Sequence, residues 1–471
     1  MPENCADESS AHESPAIETP ADDDAQWLFA GDPQTHAASL TERFTEVFGR
    51  AAQGVWFAPG RANLNGEHID FHGGRCLPMA LRYGTYAAAA PRTDGLLRLR
   101  TLEPTLDTGI VEICSADVTR TDAGWDQESD VADWTRYVSG VVWAMQQLIE
   151  TAPELALAQS FGADVLIRST VPIGAGLSSS ASLECAAALA FTALGTPLGR
   201  ANPGDGLARA LTDEHRAALA QACIRAEVEV VGAGTGGLDQ TTSLRAAEGT
   251  LLSLDCRDFS LVGTDVSFLL DKHRFLAVDT GQPHALATSE FADRRAESEA
   301  AAAVLGVGRL RDALPETPRQ AHVDQALQKY DDDATSSPAL TGLDPAACRR
   351  RLEHALTEML RSERIHALLT DGPEVAHHDD RTAALLGEIL TAGHASMRDN
   401  ARVSFPIADQ VVETVLAHGA LGARLIGGGF GGSVLVLLPR AGTERITTAA
   451  AELSPDIRFL AVDPSSAAHM V

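Results

Sequence analysis

Apolar positions along the chain recur with two periods. From Trp134 to Ile149, WTRYVSGVVWAMQQLI places them three and four residues apart, which predicts an amphipathic helix. SLECAAALAFTALG predicts a second helix, ended by Gly195. DEHRAALAQACIRAEVEVV predicts a third, from an Asp213 N-cap to Val231 with Gly232 beyond it. RRRLEHALTEMLRSERIHALL and RTAALLGEILTAGHASM predict two more. Between these, VWFAPGRANL, RCLPMAL, GADVLIRSTVP, TLLSLDC and HRFLAVDTG alternate or cluster apolar residues between Gly and Pro, which predicts short strands. ARLIGGGFGGSVLVLL reads as strand, glycine turn, strand. Long helices interleaved with strands predict an α+β or α/β protein.

The chain of 471 residues exceeds what one hydrophobic core supports, so two lobes are expected. Residues 27–270 form the first and 271–471 the second, which HRFLAVDTG opens; a cleft between them is the default ligand site. Residues 1–26, acidic and with little to bury, are expected to be a disordered tail. Residues 315–348, polar with prolines and an Asp run, are read as an insertion or long connection.

Asp and Glu outnumber Lys and Arg by 65 to 37, a formal charge of −28, which disfavours nucleic acid and anionic membrane as partners. A phosphate-bearing ligand therefore needs a local positive site. No apolar run is long enough to cross a membrane and the amino terminus lacks a secretory pattern, so a cytoplasmic location is expected. The 7 cysteines form no CxxC pair and read as small buried apolar residues rather than a disulfide framework or zinc site. Trp56, Trp125, Trp134 and Trp143 read as packing residues.

Three glycine clusters compete as phosphate binders. Gly232, Gly234 and Gly237 match GxGxxG, as do Gly427, Gly429 and Gly432. A dinucleotide fingerprint leaves a strand and opens a helix, whereas the first match leaves a helix and the second precedes a strand. The third cluster, PIGAGLSSSASLE, has strand before and helix after but no Gly-Lys-Ser/Thr, so it is not a Walker loop. Its amides at a helix N-terminus, with Ser178, Ser179, Ser180 and Ser182 beside them, suit phosphate oxygens and a Mg²⁺ ion.

GRANLNGEHIDFHGG lies on a predicted loop and gathers Arg61, Glu67, His68, Asp70 and His72 between glycines. A locally capped turn explains the glycines but not Arg61 and Glu67. A metal site on His68, Asp70 and His72 has the spacing but no further His or Cys cluster to complete it.

Three stretches in this order, APGRANLNGEHIDFHGGRCLPMAL, PIGAGLSSSASLE and GARLIGGGFGGSVLV, resemble the GHMP kinase superfamily and, within it, the galactokinases. WTRYVSGV, CIRAEVEVVGAGTGGLDQ, LLSLDCRDF, HALATSEFADRR and GHASMRDN extend the resemblance from about Val55 to Leu437. It implies a two-lobed α+β fold, an N-terminal mixed-sheet lobe and a C-terminal α/β sandwich lobe, with the active site in the cleft. It also implies ATP-dependent phosphorylation of the anomeric hydroxyl of galactose, giving α-D-galactose 1-phosphate and ADP.

Carried over by position, Asp239 matches the catalytic aspartate beside the anomeric hydroxyl and Arg61 the arginine near it. Glu67, His68 and Asp70 match sugar-hydroxyl ligands, and Gly236 gives a backbone contact. Gly174, Ala175, Gly176, Leu177, Ser178, Ser179, Ser180 and Ala181 match the ATP phosphate loop. Ser180 and Glu227 match Mg²⁺ ligands. The implied partners are the sugar and ATP, without nucleic acid or membrane, for a monomer or weak homo-oligomer.

Four positions depart from the family pattern. Phe291 replaces a sugar-touching tyrosine, Pro283 a common arginine, Asn65 an aliphatic residue and His72 an asparagine. None carries phosphoryl transfer, but the first two bear on which sugar fits. Phenylalanine offers an apolar wall to an acetamido methyl, so N-acetylgalactosamine is an alternative acceptor, and a sugar sensor without turnover is another reading.

Overall fold

The computed structural model describes residues 26–119, 133–282, 287–370 and 380–471; residues 1–25, the site of the expected tail, and Trp125 and Pro283 lie outside them. In chain order the strands are β1 (Gln26–Trp27), β2 (Gly54–Asn63), β3 (Arg75–Cys76), β4 (Pro78–Arg92), β5 (Leu96–Thr101), β6 (Val111–Cys114), β7 (Gly162–Ser169), β8 (Thr250–Asp255), β9 (Ser260–Asp265), β10 (His273–Asp279), β11 (Gly422–Ile426), β12 (Ser433–Pro439), β13 (Arg458–Val462) and β14 (His469–Met470).

Six strands build the first sheet in the order β14, β2, β4, β7, β5, β6. Side chains on successive strand residues point to opposite faces, and both faces here are apolar. Trp56, Ala58, Ala87, Ala89, Val165 and Ile167 pack under the helices Trp134–Gln146, Ser179–Gly195 and Asp213–Arg225. Val55, Phe57, Tyr86, Ala88 and Leu166 pack under the helix Pro33–Phe48. RCLPMAL, expected as one short strand, splits at Leu77 into β3 and the 15-residue β4. β3 turns aside to pair with β8 in a small sheet, β3, β8, β9.

The second sheet runs β1, β13, β10, β12, β11 and is antiparallel except for the β1–β13 pair. Leu276, Val278, Val434, Val436 and Leu438 face the helices Pro406–Ala417 and Thr443–Ala451. Phe275, Ala277, Leu435 and Leu437 face inward, in a cluster that also holds Leu64, Met79 and Leu81 of the first lobe. This shared apolar cluster joins the lobes beneath the cleft. The chain ends cross over: β1 belongs to the second sheet and β14 to the first.

The expected N-cap of the third helix is corrected. Thr212, not Asp213, caps the third helix, accepting from the His215 amide while His215 Nδ1 accepts from the Thr212 amide. Past Arg225 the helix widens into a π-helical segment, Ala226–Val231. Residues 315–348, read as an insertion or long connection, contain the helix Gln320–Asp333. Val323, Ala326 and Tyr330 line its buried face at helical spacing, and Tyr330 Oη donates to the Pro345 carbonyl at 2.8 Å.

Candidate active site

Both lobes line a cleft of about 810 Å³. Arg61 and Asn63 come from the end of β2, and Gly66, Glu67, His68 and Asp70 from the loop after it. The start of the helix Trp134–Gln146 adds Arg136 and Tyr137, residues 231–239 form one wall, and Phe291, Arg295 and Gly427 to Gly429 close the other.

Asp239 sits in the first turn of the helix Leu238–Arg245. Arg61 meets it in a forked ion pair, Nε 2.8 Å from Oδ1 and Nη2 3.2 Å from Oδ2. Ser178 Oγ donates to Asp239 Oδ2 at 2.6 Å, and Arg61 Nη1 donates to the Gly176 carbonyl at 2.7 Å. The sugar-signature arginine, the GGLDQ aspartate and the phosphate loop thus meet at one point. Ser178 has a φ of 62°, a left-handed conformation that is costly for serine and is tied in place by that bond.

Asp70 opens a short 3₁₀ turn and lies half-buried at the cleft. Burial first, then the charge of Asp239, pushes its pKa up to about 6. Gly236 faces it so closely that a Cβ there would stand 2.3 Å from Asp70 Oδ2 and 2.5 Å from the Phe71 amide nitrogen. Only glycine lets these two loops touch. His68 Nε2 lies 3.1 Å from the Gly428 carbonyl, so Nε2 carries the proton and donates. Burial lowers the His68 pKa to about 4, which keeps the ring neutral at pH 7. Its ring packs on Phe291 with centroids 5.1 Å apart.

Glu67 reaches the cleft wall, but its carboxylate is bound inward. It accepts from Asn63 Nδ2 at 2.9 Å and from the Gly427 amide at 3.2 Å, and Arg424 Nη2 lies 3.3 Å away. Burial outweighs Arg424 and pushes the Glu67 pKa up to about 7. Fully buried Arg424 also pairs with Glu358 at 2.8 Å and donates to Asn65 Oδ1 at 2.5 Å. Asn65 Nδ2 donates to Ser362 Oγ at 2.8 Å, and His72 Nε2 pairs with Ser298 Oγ at 2.9 Å. Two of the departures from the family pattern are therefore ties to helices of the second lobe.

The phosphate-loop residues lie at the edge of the cleft and reach it through Ser178 and Arg61. Ala175, Leu177 and Ala181 are buried, and Ser433 Oγ donates to the Ala175 carbonyl at 2.7 Å. Ser179 and Ser180 are half-buried at the start of the helix Ser179–Gly195. Ser180 bonds to Glu227, whose pKa burial and then the Asp239 charge raise to about 7. A hydroxyl and a carboxylate are hard oxygen donors, leaving further positions to phosphate and water, which fits Mg²⁺. Among the described residues no three His, Cys, Asp or Glu side chains converge as a metal cluster, and His72 points away to Ser298.

Residues 42–91 match the galactokinase galactose-binding signature, 136–246 the GHMP kinase N-terminal domain and 374–454 the GHMP kinase C-terminal domain. A galactokinase of Streptomyces coelicolor is 40% identical over 92% of this chain and 99% of its own length. The chain belongs to the galactokinase family. Human galactokinase is 34% identical over 85% of the chain and 88% of its own. A structure of Lactococcus lactis galactokinase complexed with galactose shares the fold, with a TM-score of 0.71 at 24% identity, covering 92% of this chain and 99% of that one.

Several residues at or behind the cleft escape the sequence reading: Asn63, Arg136, Tyr137, Arg295, Arg424, Glu358, Glu184 and Gln240. Glu184 carries a readable signal, since it stands one helical turn after Ser180. Arg424 and Glu358 carry none, because a charged residue in an apolar pattern does not name its buried partner.

Proposed function

We propose that this protein transfers the γ-phosphoryl group of ATP to the anomeric hydroxyl of galactose, giving α-D-galactose 1-phosphate and ADP. The observation that carries the reading is Asp239, held between Arg61 and Ser178 where the sugar-signature loop and the phosphate loop meet. The names of the family relatives and the galactose in the Lactococcus lactis complex support the choice of sugar.

In this reading Asp70, His68 and Gly236 hold the ring hydroxyls from one side, while Glu67 fixes the Gly427 turn that supports them. A hydroxyl presented in the wrong orientation leaves one of these buried groups unpaired, which is the basis of selectivity. Asp239 orients and polarises the anomeric hydroxyl and takes its proton as the O–P bond forms. Arg61 keeps its charge in a closed site and faces the negative charge that develops on the transferring group. Amides at the start of the helix Ser179–Gly195 hold phosphate oxygens. Ser180 and Glu227 would hold Mg²⁺, which when bound offsets charge on the phosphates. We place the protein in the cytoplasm, as a monomer or weak homo-oligomer.

A coupled ADP-release assay with Mg-ATP tests this against galactose, N-acetylgalactosamine, glucose, talose, 2-deoxygalactose and arabinose, with NMR locating the phosphate. Galactose is expected to give the highest kcat/KM, with phosphate on C1. Asp239→Ala is expected to lose at least about a thousandfold in kcat while ADP binding survives. Binding of sugar and ATP with no turnover of any sugar would move the protein to the sensor class.

A further inference from the structure

A single buried amide stands behind both halves of the site. Gln240 follows Asp239 on the helix Leu238–Arg245, so its side chain leaves about 100° further round the axis and points into the protein. Its Nε2 donates to Glu227 Oε2 at 2.5 Å and to Glu184 Oε2 at 3.0 Å. Its Oε1 faces the Thr235 hydroxyl at 3.5 Å, which fixes which end of the amide meets the carboxylates. The amide nitrogen has two N–H donors, and each is matched to one carboxylate.

Ser180, the other candidate ligand, bonds to Glu227, and Glu184 lies one turn further along the helix that begins at Ser179. Gln240 and Glu184 are both wholly buried, and Glu184 Oε1 has no hydrogen-bond partner. The neutrality of the bridge matters. A lysine or arginine at 240 would cancel the charge of Glu227, and a carboxylate there would repel it. An amide orients Glu227 and leaves its charge available.

We propose that Gln240 is a positioning residue that holds the Glu227 carboxylate in the orientation a divalent cation requires, with Glu184 as the second anchor of the amide. The inference rests on the reading of Ser180 and Glu227 as Mg²⁺ ligands. Outer partners of metal ligands set ligand orientation, and losing one typically weakens metal affinity by about 10- to 100-fold.

The test titrates Mn²⁺ into the full-length protein with ADP present and follows free Mn²⁺ by electron paramagnetic resonance. Gln240→Met removes the donors, and Gln240→Asn keeps an amide that is one methylene too short to reach both carboxylates. Each is expected to bind Mn²⁺ about tenfold more weakly or worse and to raise KM for Mg-ATP, with galactose affinity by calorimetry within about twofold of the parent. Mn²⁺ affinity within about twofold of the parent in a folded Gln240→Asn protein would overturn the proposal, as would a lowered Tm with no change in Mn²⁺ affinity. Glu227→Gln separates the two readings. If it too leaves Mn²⁺ binding unchanged, the ligand assignment fails; if it alone weakens binding, only the role of Gln240 fails.

Discussion

Replacing Asn65 by leucine, closer to the aliphatic residue usual in the family, should destabilise this chain. Asn65 is fully buried. The substitution removes an acceptor 2.5 Å from Arg424 Nη1 and a donor 2.8 Å from Ser362 Oγ. A hydrogen bond to a charged group contributes about 1.5–3 kcal/mol and a neutral one about 1 kcal/mol, and both partners here stay buried. The sum is about 3 kcal/mol. Unfolding entropy of about 2.1 cal/mol/K per residue amounts to about 1 kcal/mol/K over the whole chain and about 0.4 for the second lobe alone. Tm should therefore fall by about 3 °C if the chain unfolds as one unit, and by about 7 °C if the second lobe unfolds by itself.

Differential scanning calorimetry of parent, Asn65→Leu, Ser362→Ala and the double variant measures the loss and its origin. Ser362→Ala should cost less on the Asn65→Leu background, because its partner is already gone. Asn65 itself does not line the cleft, so kcat should stay within about threefold of the parent. A Tm within about 1 °C of the parent, or strictly additive single effects, would refute the claim that Asn65 ties the first-lobe loop to Arg424 and Ser362 of the second lobe.

Gly236→Ala should lower kcat/KM for galactose by about a hundredfold, since its Cβ would displace Asp70 and the Phe71 backbone; steady-state kinetics check this. His72→Asn should flatten the acid side of the stability curve. Burial lowers the His72 pKa to about 3 against 6.5 unfolded, so its stabilising contribution is complete above pH 6.5 and is lost as pH falls below it. The parent should lose up to about 1.4 kcal/mol per pH unit from this residue, and Tm measured from pH 7 to 4.5 should fall less in the variant. Phe291→Tyr places a hydroxyl beside His68 and should shift the kcat/KM ratio of galactose to N-acetylgalactosamine toward galactose by about tenfold, read by competing the two sugars.

The readable part of the site was the part whose chemistry is local. Arg61, Ser178, Asp239, Asp70 and Gly236 stand in contiguous motifs, and the fold brings all five to the cleft edge. Their partners lie far along the chain. Glu67, read in GEHID as a sugar ligand, lines the cleft, and its carboxylate is also held by Gly427 and Arg424, some 360 residues away. The helix Gln320–Asp333 was hidden for the opposite reason. Its apolar face is only Val323, Ala326 and Tyr330, and the run of aspartates after it outweighs so short a stripe in a reading by composition.

The glycine clusters show why matching a motif is not the same as naming its work. Neither GxGxxG match has the flanking strand and helix of a dinucleotide site, and the structure supplies a different reason for the glycines. A Cβ on Gly427 would stand 2.9 Å from the Gly176 carbonyl oxygen, so the third motif rests directly on the phosphate loop. Gly236, in the other cluster, rests on Asp70 of the sugar loop. Each close approach joins backbone that would carry one substrate to a neighbouring loop, without a side chain between them. The separation between acceptor and phosphate is then set by peptide packing, and a methyl group at either glycine should cost turnover and stability together, since each Cβ would meet neighbouring backbone at under 3.0 Å.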